Sequence, residues 1–68
     1  MEQSIRNQLP GTVKTIVSDK VLSEVVLETS IGEIASIITT RSVQKMNLMP
    51  GDKVFALLKA TNVSLRRA

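Results

Sequence analysis

The chain has 68 residues, no cysteine, no histidine, one aromatic residue and a net charge of +3. It is therefore read as one domain, residues 1–68, without disulfides, thiolate metal sites or the imidazole behind most neutral-pH acid–base chemistry. A domain this small buries only about 60% of its unfolded surface, yet 43% of the residues are hydrophobic, so the support left open to it is a partner subunit.

Taken in chain order, residues 1–8 are polar and read as an arm or edge segment, and Pro10-Gly11 is a turn signal. Thr12 to Val17 is rich in β-branched residues and reads as the first strand, with Ser18-Asp19-Lys20 as the turn after it. Val21 to Thr29 is the clearest strand: Val21, Ser23, Val25, Leu27 and Thr29 share one face, and Leu22, Glu24, Val26 and Glu28 the other. Ser30-Ile31-Gly32-Glu33 forms the next turn and Ile34 to Thr39 the third strand. A short helix follows, with Thr40 as its cap and Val43 and Met46 three apart on one face. Met46 and Met49 are expected in the core. Met49-Pro50-Gly51-Asp52 is a stop and turn. Lys53 to Lys59 is the fourth strand, Thr61-Asn62 a turn or bulge, and Val63-Ser64-Leu65 a short fifth strand. Five short strands with one helix after the third fit an all-β, five-stranded OB-like Greek-key barrel. No internal repeat or linker points to a second domain.

The residue inventory narrows the chemistry. Nucleophile–base pairs draw on His, Cys or an activated Lys, and the first two are absent; no GxxxxGK[ST] or GxGxxG loop offers a nucleotide cofactor site. The chain is read as no enzyme, with no metal site and no cofactor. Glu24 and Glu28 share a strand face but stand roughly 13 Å apart by strand rise, too far for a retaining carboxylate pair, and are read as solvated acids. The mild positive charge favours anionic partners. The near-absence of aromatic rings argues against nucleic acid bound by base stacking. The start Met1-Glu2-Gln3-Ser4 lacks a basic segment followed by an apolar one. No apolar run approaches the roughly 20 residues that span a bilayer. The expectation is a cytoplasmic, self-standing protein with no membrane contact.

What remains is equipment for an oxyanion. Ser4-Ile5-Arg6-Asn7 brings a hydroxyl, a guanidinium and an amide; Thr39-Thr40-Arg41-Ser42 brings hydroxyls at a helix start, where unpaired N–H groups favour anions. Lys59 ends an apolar strand, which would partly shield its ammonium. Charge-assisted hydrogen bonds to oxyanions are the strong kind. On residue type alone, Thr40 and Ser42 are first of all helix caps, Lys59 an edge charge that deters aggregation, and Arg6 a solvated arm residue.

Ser4-Ile5-Arg6-Asn7-Gln8-Leu9-Pro10-Gly11-Thr12-Val13 resembles the opening of the molbindins, the small molybdate-binding Mop proteins, whose signature runs S-A-R-N-x-L-x-G-x-V; Ile5 stands where that signature has Ala. Glu24-Val25-Val26-Leu27 is similar to their A-E-V-V-L-E strand, with Ser23 in place of Ala. Ser36-Ile37-Ile38-Thr39 with Ser42-Val43 resembles their S-I-I-T-x-x-S-V. Leu48 through Gly51, Val54 and Ala56-Leu57-Leu58-Lys59-Ala60 resemble their closing segment. The four segments lie in register over nearly the whole chain.

The resemblance implies an OB-like barrel of the TOBE type. It also implies a homo-oligomer, a hexamer built as a trimer of dimers, with molybdate or tungstate bound between subunits. The implied ligand residues are Ser4, Arg6, Thr39, Ser42 and Lys59, with backbone donors near Ile5 and Asn7. Some relatives carry Ser after the lysine; Ala60 removes that hydroxyl, and Thr61 is the nearest substitute. The implied role is storage, buffering or homeostasis of molybdenum. Two other classes stay open: a regulatory module excised from a transporter ATPase or a transcription regulator, and an OB-type nucleic-acid binder. Molybdate uptake distinguishes the first reading, and salt-sensitive binding of single strands the last.

Overall fold

A computed structural model describes residues 6–68, with side chains from Asn7 onward. Its elements are β1 (Arg6–Ser18), β2 (Leu22–Thr29), β3 (Gly32–Thr39), α1 (Thr40–Met46), β4 (Lys53–Lys59) and a 3-10 turn at Ala60–Asn62. The strands make one antiparallel sheet in the order β3-β2-β1-β4. The result is a mostly-β, curled sheet with one short helix, the OB-like class expected.

The long strand β1 organises the molecule. Its first half, Arg6 to Thr12, pairs with Lys59 to Lys53 of β4, and its second half, Gly11 to Ser18, pairs with Thr29 to Ser23 of β2. The register slips at Lys14, between the Val13–Leu27 and Thr15–Val26 pairs. Such a bulge bends a strand and raises its twist, so one strand serves both sides of the curl. Pro10-Gly11, a turn signal in the sequence, therefore lies inside β1. Pro10 pairs with Phe55 on the β4 side, and the pairing with β2 ends one residue on, at Gly11 and Thr29, so the missing N–H of Pro10 costs no ladder bond on the β2 side. Gly11 is where the chains come closest. A Cβ there would stand 3.1 Å from Thr29 Cγ2 and 3.2 Å from the Glu28 carbonyl oxygen. Gly11→Ala is expected to cost about 1–3 kcal/mol through overpacking, read as a lower urea midpoint at unchanged slope. A wild-type midpoint would show that β2 yields there at no cost.

The alternation in β2 is as expected: Ser23, Val25 and Leu27 are buried, and Leu22, Glu24 and Glu28 are exposed. The buried apolar residues are Val13, Val25, Leu27 and Val43, with Ile16, Ile38, Leu48, Val54 and Ala56 packed against them. Only Val43 of α1 is buried. Met46 and Met49, expected in the core, are 56% and 58% exposed: a helix of two turns presents one residue inward before it ends at Met46, and Met49 lies beyond it.

The cap of α1 is Thr39, not Thr40: Thr39 Oγ1 accepts the Ser42 N–H at 3.0 Å, as a cap one residue earlier requires. The helix stops at Asn47, left-handed at φ 53, whose N–H reaches the Gln44 carbonyl while that of Leu48 reaches the Val43 carbonyl. Pro50-Gly51 then turns the chain, with Gly51 at φ 95, the region that glycine enters freely.

The fifth strand expected at Val63–Leu65 does not form. After the 3-10 turn the chain runs on without a partner strand, and Leu65 is 94% exposed. β3 and β4 each have one neighbour only. Between them lies an open-sided apolar cavity of about 380 Å³, lined by Ile34, Ser36 and Ile38 on one side and Val54, Ala56 and Leu58 on the other.

Candidate functional site

The residues singled out in the sequence fall into two clusters. Ser4 and Ile5 lie outside the described residues. Arg6 opens β1 and is the register partner of Lys59, the last residue of β4; Asn7 pairs with Leu58. Ala60 and Thr61 follow in the 3-10 turn, so the Thr61 hydroxyl is carried by the same turn in which Ala60 offers none. Asn7, Lys59, Ala60 and Thr61 are all exposed. The shielding expected for Lys59 is absent, because alternation along β4 puts Lys53, Phe55, Leu57 and Lys59 on the outward face.

Pairing places two cations, at positions 6 and 59, directly opposite each other. Like charges so placed destabilise a sheet. Among the described residues, Lys59 forms no ion pair; the salt bridges there belong to Lys14, which meets Glu33 and Glu28. Those carboxylates hold the Lys14 ammonium above its usual pKa, chiefly through the hydrogen bond from Lys14 to Glu33. Among the described residues no three acids gather as metal ligands.

The second cluster is the turn from β3 into α1. Thr39 Oγ1 donates to Ser42 Oγ at 2.8 Å and accepts the Ser42 N–H. A hydroxyl has one hydrogen, so Thr39 has spent its own. Ser42 Oγ donates to nothing among the described residues, and its proton is the one this turn can offer outward. The Thr40 N–H is bound to the Val21 carbonyl at 2.9 Å. Two of the helix-start N–H groups counted on in the sequence reading are thus already used within the chain.

The clusters do not meet through the sheet of one chain. Thr39 pairs with Leu22, next to the end of β2 that faces Ser18, whereas Lys59 pairs with Arg6 at the far end of β1. The 13 residues of β1 separate them by roughly 40 Å of strand contour.

The sequence reading missed the polar residue behind the second cluster. Ser23, 1% exposed, sits at hydrogen-bond distance from both Ser18 and Thr40. The available signal was a serine on the inward, otherwise apolar face of β2.

A family model described as the TOBE domain matches residues 3–65. The chain is 36% identical over 66 residues to molybdenum-pterin-binding protein 3 of Clostridium pasteurianum, covering 96% of this chain and 97% of that one. It is 42% identical over 66 residues to the molybdenum-pterin-binding protein MopA of Rhodobacter capsulatus, but spans only 25% of that protein's length. Among solved structures, a molybdate-binding protein from Sporomusa ovata superposes with a TM-score of 0.90 at 42% identity, over 98% of this chain and all of the other. MopII from Clostridium pasteurianum follows at 0.87 and 37%, over 97% of this chain and all of the other. These relatives are named as binding proteins and not as enzymes.

Proposed function

The chain belongs to the TOBE domain family and, within it, to the small Mop molybdenum-binding proteins, and on that footing we propose that it binds molybdate or tungstate between copies of itself. The ligand is held as an intact oxyanion through its oxygens, and the protein stores or buffers it in the cytoplasm. No described helix is long and apolar enough to cross a membrane.

The observation that carries this reading is the Arg6–Lys59 register. A cross-strand pair of like charges is unfavourable alone and becomes favourable when a shared dianion sits over it, since charge-assisted hydrogen bonds are about twice as strong as neutral ones. Asn7 beside it on β1 and Ala60 after the lysine supply amide and backbone donors, and Ser4 and Ile5, which precede Arg6 in the sequence, complete the proposed set. Thr39 and Ser42 supply a hydroxyl from the other cluster. Because the clusters stand at opposite ends of β1, a site that uses both draws them from different subunits, and otherwise the chain carries two kinds of site. A pterin ring would want stacking partners; Phe55 is the one aromatic residue in the chain, so the reading is the oxyanion and not a pterin.

Assembly has support of its own. Four hydrophobic residues are buried, while eleven large ones among the described residues are exposed, Leu65, Ile31 and Val21 most of all. That balance of four buried against eleven exposed is one that a covering subunit would redress. We assign the chain to a homo-oligomer, a hexamer arranged as a trimer of dimers. An anion that binds the assembly and not its parts stabilises the assembly by mass action.

A native mass spectrum with and without molybdate, with sulfate as competitor, tests the reading. The expected result is an oligomer that gains several molybdate masses and keeps them against sulfate. A monomer that takes up neither oxyanion would leave the family likeness as a likeness of fold alone.

A further inference from the structure

Behind Thr39 and Ser42 lies a closed circuit of side-chain hydroxyls. Ser18 Oγ is 2.6 Å from Ser23 Oγ, Ser23 Oγ is 2.8 Å from Thr40 Oγ1, and Thr40 Oγ1 donates to the Asp19 carbonyl at 2.8 Å. One hydrogen per hydroxyl fixes the direction. Thr40 spends its proton on Asp19, so it accepts from Ser23; Ser23 spends its proton on Thr40, so it accepts from Ser18. Asp19 follows Ser18 in the chain, and the circuit closes.

The circuit has a firm base. The Asp19 carboxylate accepts the Val21 and Leu22 N–H groups at 2.8 Å each, and the Asp19 N–H donates to the Leu22 carbonyl at 2.9 Å. The two bonds to the carboxylate, the Leu22 one foremost, hold the Asp19 carboxyl below its usual pKa. Thr40 is fastened to this turn by both its N–H and its O–H. Ser23, almost fully buried, has no water to replace a lost partner.

We propose that Thr40, held by Ser23, is a positioning residue of the oxyanion-binding turn, an inference that rests on the function proposed above. Thr40 does not touch the anion, because its hydroxyl hydrogen and its N–H are both committed. It anchors the backbone between Thr39 and Ser42. α1 has seven residues, and a helix that short does not hold its own first turn in place. The anchor, and not the helix, keeps the Ser42 hydroxyl where a ligand oxygen can meet it.

The test is molybdate titration by calorimetry on the full chain, comparing wild type, Thr40→Val, Thr40→Ser and the double variant Ser23→Ala/Thr40→Val. Thr40→Val removes the hydroxyl half of the anchor at nearly constant shape, keeps the backbone bond to Val21, and leaves Ser23 with Ser18 as its one hydroxyl partner. The double variant removes both members of the Ser23–Thr40 bond, which is close to neutral for stability, and the groups it leaves over, the Ser18 hydroxyl and the Asp19 carbonyl, belong to exposed residues that water can serve, so the comparison survives if the single variant folds poorly. Expected is about a tenfold loss of affinity in both valine variants, the cost of reordering roughly one residue of backbone on binding, with wild-type affinity in Thr40→Ser. Val25→Ala is the control for lost stability: it lowers the thermal midpoint and leaves affinity in place. Wild-type affinity in the double variant overturns the inference while the functional reading stands. Affinity that falls in Val25→Ala as it does in Thr40→Val reduces Thr40 to a structural role. A wild type that binds neither molybdate nor tungstate overturns the functional reading and this inference together.

Discussion

Lys59→Ala is expected to weaken molybdate binding by about ten- to a hundredfold, the equivalent of the roughly 1.5–3 kcal/mol that a hydrogen bond to a charged group contributes. The sign of the accompanying stability change separates a ligand residue from a packing residue. Lys59 is exposed and, among the described residues, forms no ion pair, so its loss leaves no cavity. It also removes one of two like charges set opposite each other in the β1–β4 ladder, a relief worth a few tenths of a kcal/mol. The unliganded variant should therefore melt at or slightly above the wild-type temperature, while its complex dissociates far more readily. Calorimetric titration and a thermal scan of the same preparation measure both quantities. Undiminished affinity would remove Lys59 from the site. A fall in the thermal midpoint of the unliganded protein would instead mark it as a structural residue. Arg6→Ala should behave in the same direction, and the double variant should lose less than the sum of the two, because both cations face one dianion.

The parts of the fold that could be read from the sequence are those decided by local pattern. The alternation of Ser23, Val25 and Leu27 against Leu22, Glu24 and Glu28 dictates which face of β2 turns inward, and no long-range contact is needed to see it. The brief helix between the third and fourth strands and the turn at Pro50-Gly51 follow from local chemistry in the same way. The misplacements have one cause, which is context supplied from elsewhere in the chain. Pro10-Gly11 has the chemistry of a turn and becomes mid-strand because β4 lies beside it and β2 comes within 3.1 Å of where a Cβ would stand. Thr39 takes the cap that Thr40 was expected to supply because Thr40 is drawn away to the Asp19 and Val21 carbonyls, far back in the chain at the turn before β2. Met46 has the spacing of a core residue but closes a helix that ends before it can turn it inward, and Met49 lies beyond that helix, ahead of the turn at Pro50-Gly51. The candidate residues could be picked out one by one by residue type and resemblance; what no local pattern conveys is that Lys59 and Arg6 are register partners while Thr39 and Ser42 lie at the other end of β1.

Val63-Ser64-Leu65 is the misplacement with the largest consequence. The segment has the alternation of a half-buried strand and Val63 adopts extended angles, φ −92 and ψ 122, yet Val63 is 49% and Leu65 94% exposed. In the same molecule the β3 and β4 edges are open and an apolar cavity lies between them. A strand without a sheet and a sheet with unpaired edges are complementary defects, and oligomerisation removes both by pairing edge backbone groups and covering apolar side chains. Leu65→Asp separates the two situations. In an isolated subunit the substitution falls on a solvated side chain and should change stability by no more than about 0.5 kcal/mol. In the proposed hexamer it places an unpaired carboxylate in an apolar contact, at a cost of several kcal/mol at each equivalent interface, and the assembly should fall to smaller species. Light scattering at micromolar concentration reads the mass directly. A wild-type mass for Leu65→Asp would show that this segment takes no part in assembly. The expected dissociation should carry the oxyanion with it if the proposed site draws Lys59 from one subunit and the Thr39–Ser42 turn from another, since such a site survives only as long as the subunits stay together.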